Sequence, residues 1–218
     1  IEDCAHSLGA EYKGRMVGTL GDASFFSFQA FKPLNTYGGG LAWMRDAELA
    51  RRVGELAEKE PYPSEKRVED ILWQGKWQHT FIRPKVFTYS TFPILYAASF
   101  VGAKPEERMW ESVRSLNPLP PRYGGRFSNV QAAMGLAGLR RLPEFIDRTR
   151  RHARILDELL GSVPGVTIPT IPEGQTHVYY QYCAYVPDSS ALVTRCIRRG
   201  VDVRSEEHTS ELQSHLNL

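Results

Sequence analysis

Apolar and aromatic positions are concentrated first in one stretch near the start of the chain, residues 24–28, which read Ser-Phe-Phe-Ser-Phe. This composition predicts a buried β-strand. The strand pattern ends near Lys32, and three glycines at 38–40 predict a flexible turn. A second apolar stretch, 41–44, predicts the strand that follows. Residues 1 to about 45 are therefore predicted to form strand, loop, strand, glycine turn and strand.

Helical periodicity begins directly after this sheet region. Asp46 precedes a segment, 47–58, in which Leu49, Val53 and Leu56 recur on one face. An aspartate in that position caps the first backbone N–H groups of a helix. Strands separated by helices are typical of the α/β fold class.

The middle of the chain, 61–122, is rich in proline and contains an uncharged stretch of 18 residues, 86–103. This length is barely sufficient for a transmembrane helix, and Pro93 and Gly102 dilute its apolar character. We expect a helical hairpin that packs on the protein itself or on a dimer partner. Association with a membrane surface is the alternative.

A long helical pattern begins after residue 123. Ser128 is predicted to cap it, with Gln131 completing a capping box. Pro143 is predicted to break or kink the pattern, which then continues to Gly161. Four arginines in the second half are expected on a solvent-exposed face: Arg148, Arg150, Arg151 and Arg154.

Two further elements are predicted towards the end of the chain. Residues 177–186 have the aromatic composition of a β-strand. Residues 191–199 predict a short amphipathic helix, and 200–203 predict a glycine turn into another strand.

Composition and charge narrow the classes of function. The chain has 218 residues, of which 42% are hydrophobic, and this suits one or two globular domains. Its net charge of +2 is too small to indicate a nucleic-acid partner. The three cysteines, Cys4, Cys183 and Cys196, are widely spaced and odd in number. They indicate neither a disulfide framework nor a metal site, and a reduced cytoplasmic setting fits them best.

Lys32 carries the most specific chemistry that the strand and turn pattern suggests. A lysine at the edge of a buried strand is costly to desolvate, so the pKa of its amine tends to fall. A neutral amine can attack a carbonyl and form a Schiff base. The alternative is a structural lysine whose aliphatic chain covers the strand end while its ammonium group reaches solvent.

Four segments around Lys32 occur in a fixed order. They are Glu2-Asp3-Cys4-Ala5-His6 with Gly9-Ala10, the glycine series Gly14, Gly18 and Gly21-Asp22, Ser27-Phe28-Gln29 leading to Lys32, and Gly38-Gly39. This combination resembles the DegT/StrS-type sugar aminotransferases, a family of fold-type I enzymes that use pyridoxal 5'-phosphate (PLP). Residues 126–136, 177–186 and 200–203 resemble further segments of the family. The resemblance covers about 1–60 and 123–203.

The resemblance implies the α/β class and a partial PLP-dependent aminotransferase fold of type I, with the remnant of a large-domain sheet and an α/β small C-terminal domain. It implies that 1–60 form the C-terminal part of the large PLP-binding domain. Residues 61–122 are expected to be a proline-rich, partly apolar insertion or connection, and 123–203 the long helix and an incomplete small domain. Residues 204–218 resemble a translated sequencing adapter and are expected to be a non-native tail.

Four residues take roles in this resemblance. Lys32 is the implied catalytic amine that holds PLP, and Asp3 is the implied partner of its pyridine nitrogen. His6 would lie against the cofactor ring or its phenolic oxygen, and Ser27 would bond the phosphate. No metal ligand is implied. The alternatives by residue type alone are a strand-end or turn aspartate at Asp3 and an ordinary hydrogen-bonded core histidine at His6.

The activity that the resemblance implies is transamination of a small-molecule keto sugar, nucleotide-linked, with an amino acid such as glutamate as the amine donor. A cytoplasmic homodimer is implied, with contact to a membrane surface through 86–103 as an open alternative. Two other functions stay open: a non-catalytic or membrane-associated regulatory or scaffold member of the same fold, and another PLP reaction such as sugar dehydration. Dehydratase relatives carry histidine in place of the lysine, so Lys32 favours transamination.

One position departs from the family pattern. Gly124 stands where the family has an asparagine that reaches the phosphate site of the neighbouring subunit, so the resemblance does not extend to that contact. The chain also begins inside a strand-like segment, and the family's phosphate-binding helix start would precede it. We therefore expect the chain by itself to bind PLP weakly and to be inactive.

Overall fold

The computed structural model describes residues 1–29, 32–81, 83–100, 124–201 and 203, which belong to two units. The first unit contains the described residues up to 77 and those from 124 to 184. The second contains the described residues from 78 to 100 and those from 185 onwards. The expectations for 101–123 and for the tail, 204–218, lie outside the described residues, and the predicted domain boundaries stay a prediction.

The described elements are short strands and longer helices. The strands are β1 Glu2–Asp3, β2 Glu11–Tyr12, β3 Arg15–Met16, β4 Ala23–Ser27, β5 Gly40–Met44 and β6 Gln175–Thr176. The helices are α1 Ala47–Glu58, α2 Glu65–Phe81, α3 Pro84–Val86, α4 Phe92–Phe100, α5 Asn129–Leu160 and α6 Ser189–Ile197, with a π-helical turn, Phe87–Thr91, between α3 and α4.

The first sheet has the strand order β1-β4-β5. β1 runs parallel to β4 and places Asp3 opposite Phe25. β4 and β5 are antiparallel, with Ser27 opposite Gly40. The two strands predicted on either side of the glycine turn are therefore confirmed, and the chain leaves β1 and β4 at the same edge of the sheet.

A second small sheet joins the start of the first unit to its end, in the order β3-β2-β6. Lys13 and Gly14 make the turn between β2 and β3 with φ angles of 49° and 74°. β6 pairs antiparallel with β2 and places Thr176 opposite Glu11. This pairing brings the segment after β6 close to the residues that follow β1.

α1 forms where it was predicted. It begins at Asp46, whose carboxylate accepts a hydrogen bond from Leu49 N at 2.7 Å. Glu48 and Arg51 form an ion pair at 2.6 Å along its surface. The apolar face predicted for this helix is not buried, because Leu49 is 41% exposed and Leu56 is 62% exposed.

α5 is one continuous helix of 32 residues, so Pro143 does not break the helix, and the predicted kink stays a prediction. A proline inside a helix removes one backbone hydrogen bond and costs about 3 kcal/mol. The turns after Pro143 bury Ile146 and Ala153, which are 8% and 2% exposed, and this packing offsets the cost. The predicted capping box is confirmed, with Ser128 and Gln131 each accepting a backbone hydrogen bond from the other.

The strand predicted over 177–186 is also wrong, because β6 ends at Thr176 and the residues up to 184 form no strand. Tyr179 has a φ angle of 48°, a left-handed conformation that extended strands do not contain. Its backbone N–H donates to His177 Nδ1 at 3.0 Å. A local side-chain bond therefore replaces the pairing that the aromatic composition had predicted.

The uncharged stretch predicted as a hairpin is helical where it is described. The π-helical turn and α4 cover it up to Phe100, and α4 packs on α6. Tyr89 and Ile94 are 83% and 70% exposed. Within the described ranges, no helix is both long enough and apolar enough to cross a membrane. The hairpin and the membrane-surface contact stay predictions.

The short helix predicted over 191–199 is confirmed as α6, which starts two residues earlier. Its start is fixed by Asp188, whose carboxylate accepts a hydrogen bond from Ala191 N at 3.0 Å. Gly200 follows it with a φ angle of 83°.

The core of the first unit lies between the start of the chain and α5. Ala10, Ile146 and Val178 form a buried cluster. Full burial of an aliphatic side chain stabilises a fold by about 2 kcal/mol. The cluster fixes the residues before β2 and the segment after β6 against the same helix, and both contribute to the candidate site.

Candidate functional site

Lys32 lies just beyond β4, in a turn whose backbone bond runs from Lys32 N to Gln29 O at 3.2 Å. Burial lowers the pKa of its half-buried amine, and the negative charge of Asp3 opposes this shift. A lowered pKa leaves a larger neutral fraction of the amine, which makes it a better nucleophile. The lowered pKa predicted for Lys32 from its place at the end of a strand is therefore confirmed. The role of this amine toward a cofactor stays a prediction.

Asp3 is the last residue of β1, the strand that runs beside β4. Its Oδ1 accepts a hydrogen bond from Ala5 N at 3.0 Å, which holds the carboxylate at the start of the following turn. The side chain is exposed, yet its charge acts on the amine of Lys32. Parallel strands bring functional groups together at their carboxyl ends, and Asp3 and Lys32 follow that rule.

His6 is joined to this pair through an aromatic ring. The centroids of the His6 and Tyr180 rings are 4.7 Å apart, with 41° between the ring planes. The centroid of the same Tyr180 ring lies 4.8 Å from Nζ of Lys32. The described contacts thus bring Lys32, Asp3 and His6 together. Ser27 is half-buried at the end of β4, outside these contacts.

Tyr180 is the site residue that sequence reasoning missed. Its segment was interpreted as a strand of the small domain, so no contact with the lysine was expected. The available signal was the dense aromatic composition of 177–182, which also suits a binding surface.

The segment that carries Tyr180 is tied to α5 by three hydrogen bonds. Thr149 Oγ1 donates to Val178 O at 2.8 Å, Arg150 Nε donates to His177 O at 3.0 Å, and Tyr182 OH donates to Asp157 Oδ1 at 2.7 Å. Burial and the bond to Asp157 raise the pKa of Tyr182 to about 12. The expectation that Arg150 faces only solvent is therefore wrong, because its guanidinium holds a backbone carbonyl.

The loop after Lys32 is held by the start of α5. Gln131 Nε2 donates to Thr36 O at 3.3 Å and to Gly38 O at 3.1 Å. Gln131 and Thr36 are both buried, so these bonds are shielded from water. The capping residue of α5 therefore also fixes the glycine turn that follows the lysine.

Close packing completes this attachment. Leu34 is 2% exposed, and a Cβ added at Gly138 of α5 would lie 2.4 Å from its Cδ1. A Cβ added at Gly39, which has a φ angle of 82°, would lie 2.6 Å from the ring of Phe127. Glycine is needed at both positions because the loop and helix approach too closely for a side chain.

The glycine series before β4 is held by Glu2, the residue before Asp3. Its carboxylate accepts hydrogen bonds from the backbone N–H groups of Gly21, Leu20 and Gly18 at 2.7, 2.8 and 2.9 Å. These bonds lower the pKa of Glu2. Arg45 donates to carbonyl groups of the same loop, including Leu20 O at 3.1 Å. Glu2 thereby fixes the strand end that presents Asp3.

Gly124 lies beside the exposed side chain of Glu60. A Cβ added at Gly124 would lie 3.0 Å from Glu60 Oε2, the end of a flexible side chain that can move away. Two residues further on, Arg126 lies over the Tyr62 ring, with its Cζ 4.2 Å from the ring centroid. Nothing in these contacts explains why glycine stands at this position.

An open cavity of about 240 Å³ lies beside Pro33, on the face of α5 that carries Arg141 and Arg148. Lys32 is not among its lining residues, so it is separate from the amine site. Both arginines are exposed, as expected for a solvated helix face.

Comparison of the sequence with known proteins identifies the family to which this chain belongs. The model of the DegT/DnrJ/EryC1/StrS aminotransferase family matches residues 1–70 and 90–214. This match covers well over half of the sequence, and the chain belongs to that family. Its α/β fold is that of PLP-dependent sugar aminotransferases, as the resemblance had predicted.

Individual proteins agree with this assignment. A Saccharopolyspora spinosa protein, named dTDP-4-dehydro-2,3,6-trideoxy-D-glucose 4-aminotransferase, is 33% identical over 183 residues, which are 84% of this chain and 38% of that protein. The aminotransferase TlmJ of Streptoalloteichus hindustanus is 30% identical, with a TM-score of 0.57 over 90% of this chain and 41% of its own. Spr1654 of Streptococcus pneumoniae in its PLP form is 20% identical, with a TM-score of 0.54 over 92% of this chain and 41% of its own. The chain thus spans about two fifths of the length of these proteins.

Proposed function

We propose that the whole protein is a PLP-dependent aminotransferase that aminates a keto sugar. The observation that carries this proposal is the half-buried Lys32 amine, placed beyond β4 and within electrostatic range of Asp3. Membership of the aminotransferase family supports it. The name of the S. spinosa relative supports a sugar as the substrate.

The residues around Lys32 fit PLP in chemical type. PLP presents an aldehyde, a pyridine nitrogen, a phenolic oxygen and a phosphate. Lys32 offers a partly neutral amine for the aldehyde, and Asp3 offers a carboxylate for the pyridine nitrogen. His6 offers an imidazole beside the ring, and Ser27 offers a hydroxyl for the phosphate. When bound, PLP supplies an electron sink for the substrate amine.

Lys32 has two tasks in this proposal. Its amine holds the cofactor covalently when no substrate is present. Once released, the same amine would accept a proton from the substrate carbon that bears the nitrogen and would later donate it again. Both tasks need an amine whose pKa lies closer to neutral pH than that of an ordinary lysine. Burial lowers the pKa of Lys32 and so moves it towards neutral pH. The Lys32 residue also argues against the sugar-dehydratase alternative, whose members carry histidine there.

Asp3 provides a fixed negative charge. A carboxylate next to a pyridine nitrogen favours its protonated form. The hydrogen bond from Ala5 N to Asp3 Oδ1 restricts the carboxylate to one direction, and the grip of Glu2 on the glycine loop keeps the strand end in place. The carboxylate of Asp3 is therefore already oriented before the reaction begins.

The finer details of the substrate and of the cellular setting are further parts of this proposal. We infer a nucleotide-linked keto sugar as acceptor and an amino acid such as glutamate as donor. The name of the S. spinosa relative, which contains a dTDP-linked sugar, supports the first inference. A cytoplasmic homodimer, and membrane contact through 86–103, remain proposals of the same kind.

The proposal is tested with the whole protein, PLP, a dTDP-linked 4-keto sugar and glutamate or glutamine. We expect mass spectrometry to detect the amino sugar and the keto acid made from the donor in equal amounts. Lys32→Arg should abolish both products, whereas Lys59→Arg, a change at an exposed helix end, should retain them. Full turnover by the Lys32→Arg variant would refute the assignment.

A further inference from the structure

The Tyr180 ring covers the lysine site from the segment after β6. Its centroid is 4.8 Å from Nζ of Lys32 and 4.7 Å from the centroid of the His6 ring. One aromatic ring therefore touches the two groups that come from opposite sides of the glycine series. Tyr180, which supplies this ring, is far from both Lys32 and His6 in the sequence.

The ring is placed by a rigid support. The side chains of Thr149, Arg150 and Asp157 on α5 hold the segment on both sides of Tyr180. Val178, two residues before it, is 1% exposed in the core cluster. The chain is thus anchored on both flanks of Tyr180, so the point from which its ring extends is set by the fold.

We propose that Tyr180 is a positioning residue for the Lys32 amine, with its ring limiting the directions that the amine can take and excluding water from one side. Its importance for catalysis rests on the proposed function. The contact itself is a property of this chain and can be measured without the cofactor.

The ring acts on Lys32 in two opposite ways. Its face attracts the protonated amine, while its bulk removes water and favours the neutral amine. The other titratable groups at the site are Asp3, whose charge favours the protonated amine, and His6. Burial outweighs the charge of Asp3 in lowering the pKa of Lys32. We expect the ring to act mainly by contributing to this burial, so its removal should raise the pKa of the amine.

The test is reductive ¹³C-methylation of the lysines of the chain, followed by NMR of the dimethylamino groups. A group that lies over an aromatic face is shifted upfield by the ring current. The Lys32 signal, identified by its loss in Lys32→Arg, should therefore lie upfield of the signals of the other lysines. A pH titration of the same signal reports the pKa of the modified amine.

Three variants separate positioning from general stability. Tyr180→Leu should remove the upfield shift and raise the titration midpoint. Tyr180→Phe keeps the ring and should preserve both values. Tyr185→Leu, a change of the same type at a residue that is 71% exposed, should leave the signal as in the parent. An unchanged Lys32 shift in Tyr180→Leu would overturn the proposal.

A second measurement covers the case in which Tyr180→Leu does not fold. In the parent chain, the dimethyl protons of Lys32 should show a nuclear Overhauser effect to the Tyr180 ring protons, and absence of this effect would also overturn the proposal. The proposed function fails separately, if the whole protein transfers no amino group. In an active protein, Tyr180→Leu should lower kcat and shift its pH dependence upward, while Tyr180→Phe should restore both.

Discussion

At the scale of single residues, the Lys32 amine is under two opposing influences. Burial beyond β4 favours the neutral form, and the carboxylate of Asp3 favours the charged form. The net result is a lowered pKa of the Lys32 amine, with the carboxylate of Asp3 still close by to serve a bound cofactor. The Tyr180 ring contacts both the imidazole of His6 and the amine of Lys32, so these groups form one small site from three separate segments.

Replacing Asp3 tests the charge at this site. Asp3→Asn keeps the size and the hydrogen bond from Ala5 N but removes the negative charge. We expect the whole protein to bind PLP, as seen by its visible absorbance, while kcat falls about a hundredfold or more. A neutral amide cannot keep a pyridine nitrogen protonated as a carboxylate does. Turnover at the parental rate would show that Asp3 has another role.

Glu2 makes the stability of the chain depend on pH. Three backbone N–H groups lower its pKa below the ordinary value of 4.5, so the folded state binds this proton less tightly than the unfolded state does. The stabilisation is complete above 4.5 and is lost as the pH falls through the lower folded-state pKa. Thermal melts between about pH 3 and 7 should show this loss in the parent.

The matched variants for this pH effect are Glu2→Gln and Glu173→Gln, the second at an exposed residue. Glu2→Gln should melt at a lower temperature than the parent near neutral pH, with a smaller further decrease in acid. Glu173→Gln should follow the parent. Superimposable profiles for Glu2→Gln and the parent would contradict the grip of Glu2 on the glycine loop.

At the scale of elements, α5 supports both sides of the site. Its first turn holds the loop after Lys32 through Gln131, and its later turns hold the segment that carries Tyr180 through Thr149 and Arg150. The same helix contributes Ile146 to the core. One helix therefore holds both of the segments that bring the amine and the ring together.

Two glycine substitutions test the contact between α5 and the lysine loop. Gly138→Ala places a Cβ 2.4 Å from Leu34 Cδ1 and should lower the free energy of unfolding by about 1–3 kcal/mol. Gly54→Ala, in exposed α1 with no atom within 4 Å of the new Cβ, should raise it by about 1 kcal/mol. Urea denaturation of the two variants and the parent measures both changes in the free energy of unfolding. A Gly138→Ala chain as stable as the parent would show that the loop does not pack on α5.

The elements that the sequence predicted well are those fixed by local chemistry. The cap at Asp46 and the capping box of Ser128 and Gln131 follow from nearby residue types. The continuity of α5 through Pro143 could not be predicted in this way. The cost of a proline inside a helix is offset there by burial against segments that are distant in sequence. Tyr180 was missed for the same reason, since its position depends on hydrogen bonds to α5 and on a left-handed Tyr179.

At the scale of the whole molecule, the chain carries only part of what its relatives contain. It spans 38% of the S. spinosa protein and 41% of TlmJ. Its first unit nevertheless brings together an amine, a carboxylate and an imidazole from distant parts of the sequence. The roles expected for 61–122 and for the tail, 204–218, stay predictions, as does the homodimer.

The central claim is that Lys32 holds the cofactor, and reductive labelling tests it most directly. The whole protein is incubated with PLP, reduced with borohydride, digested and mapped by mass spectrometry. We predict one pyridoxyl group per chain, on the peptide that contains Lys32, and its loss in Lys32→Arg but not in Lys59→Arg. A stoichiometric pyridoxyl group on any other lysine would contradict the account.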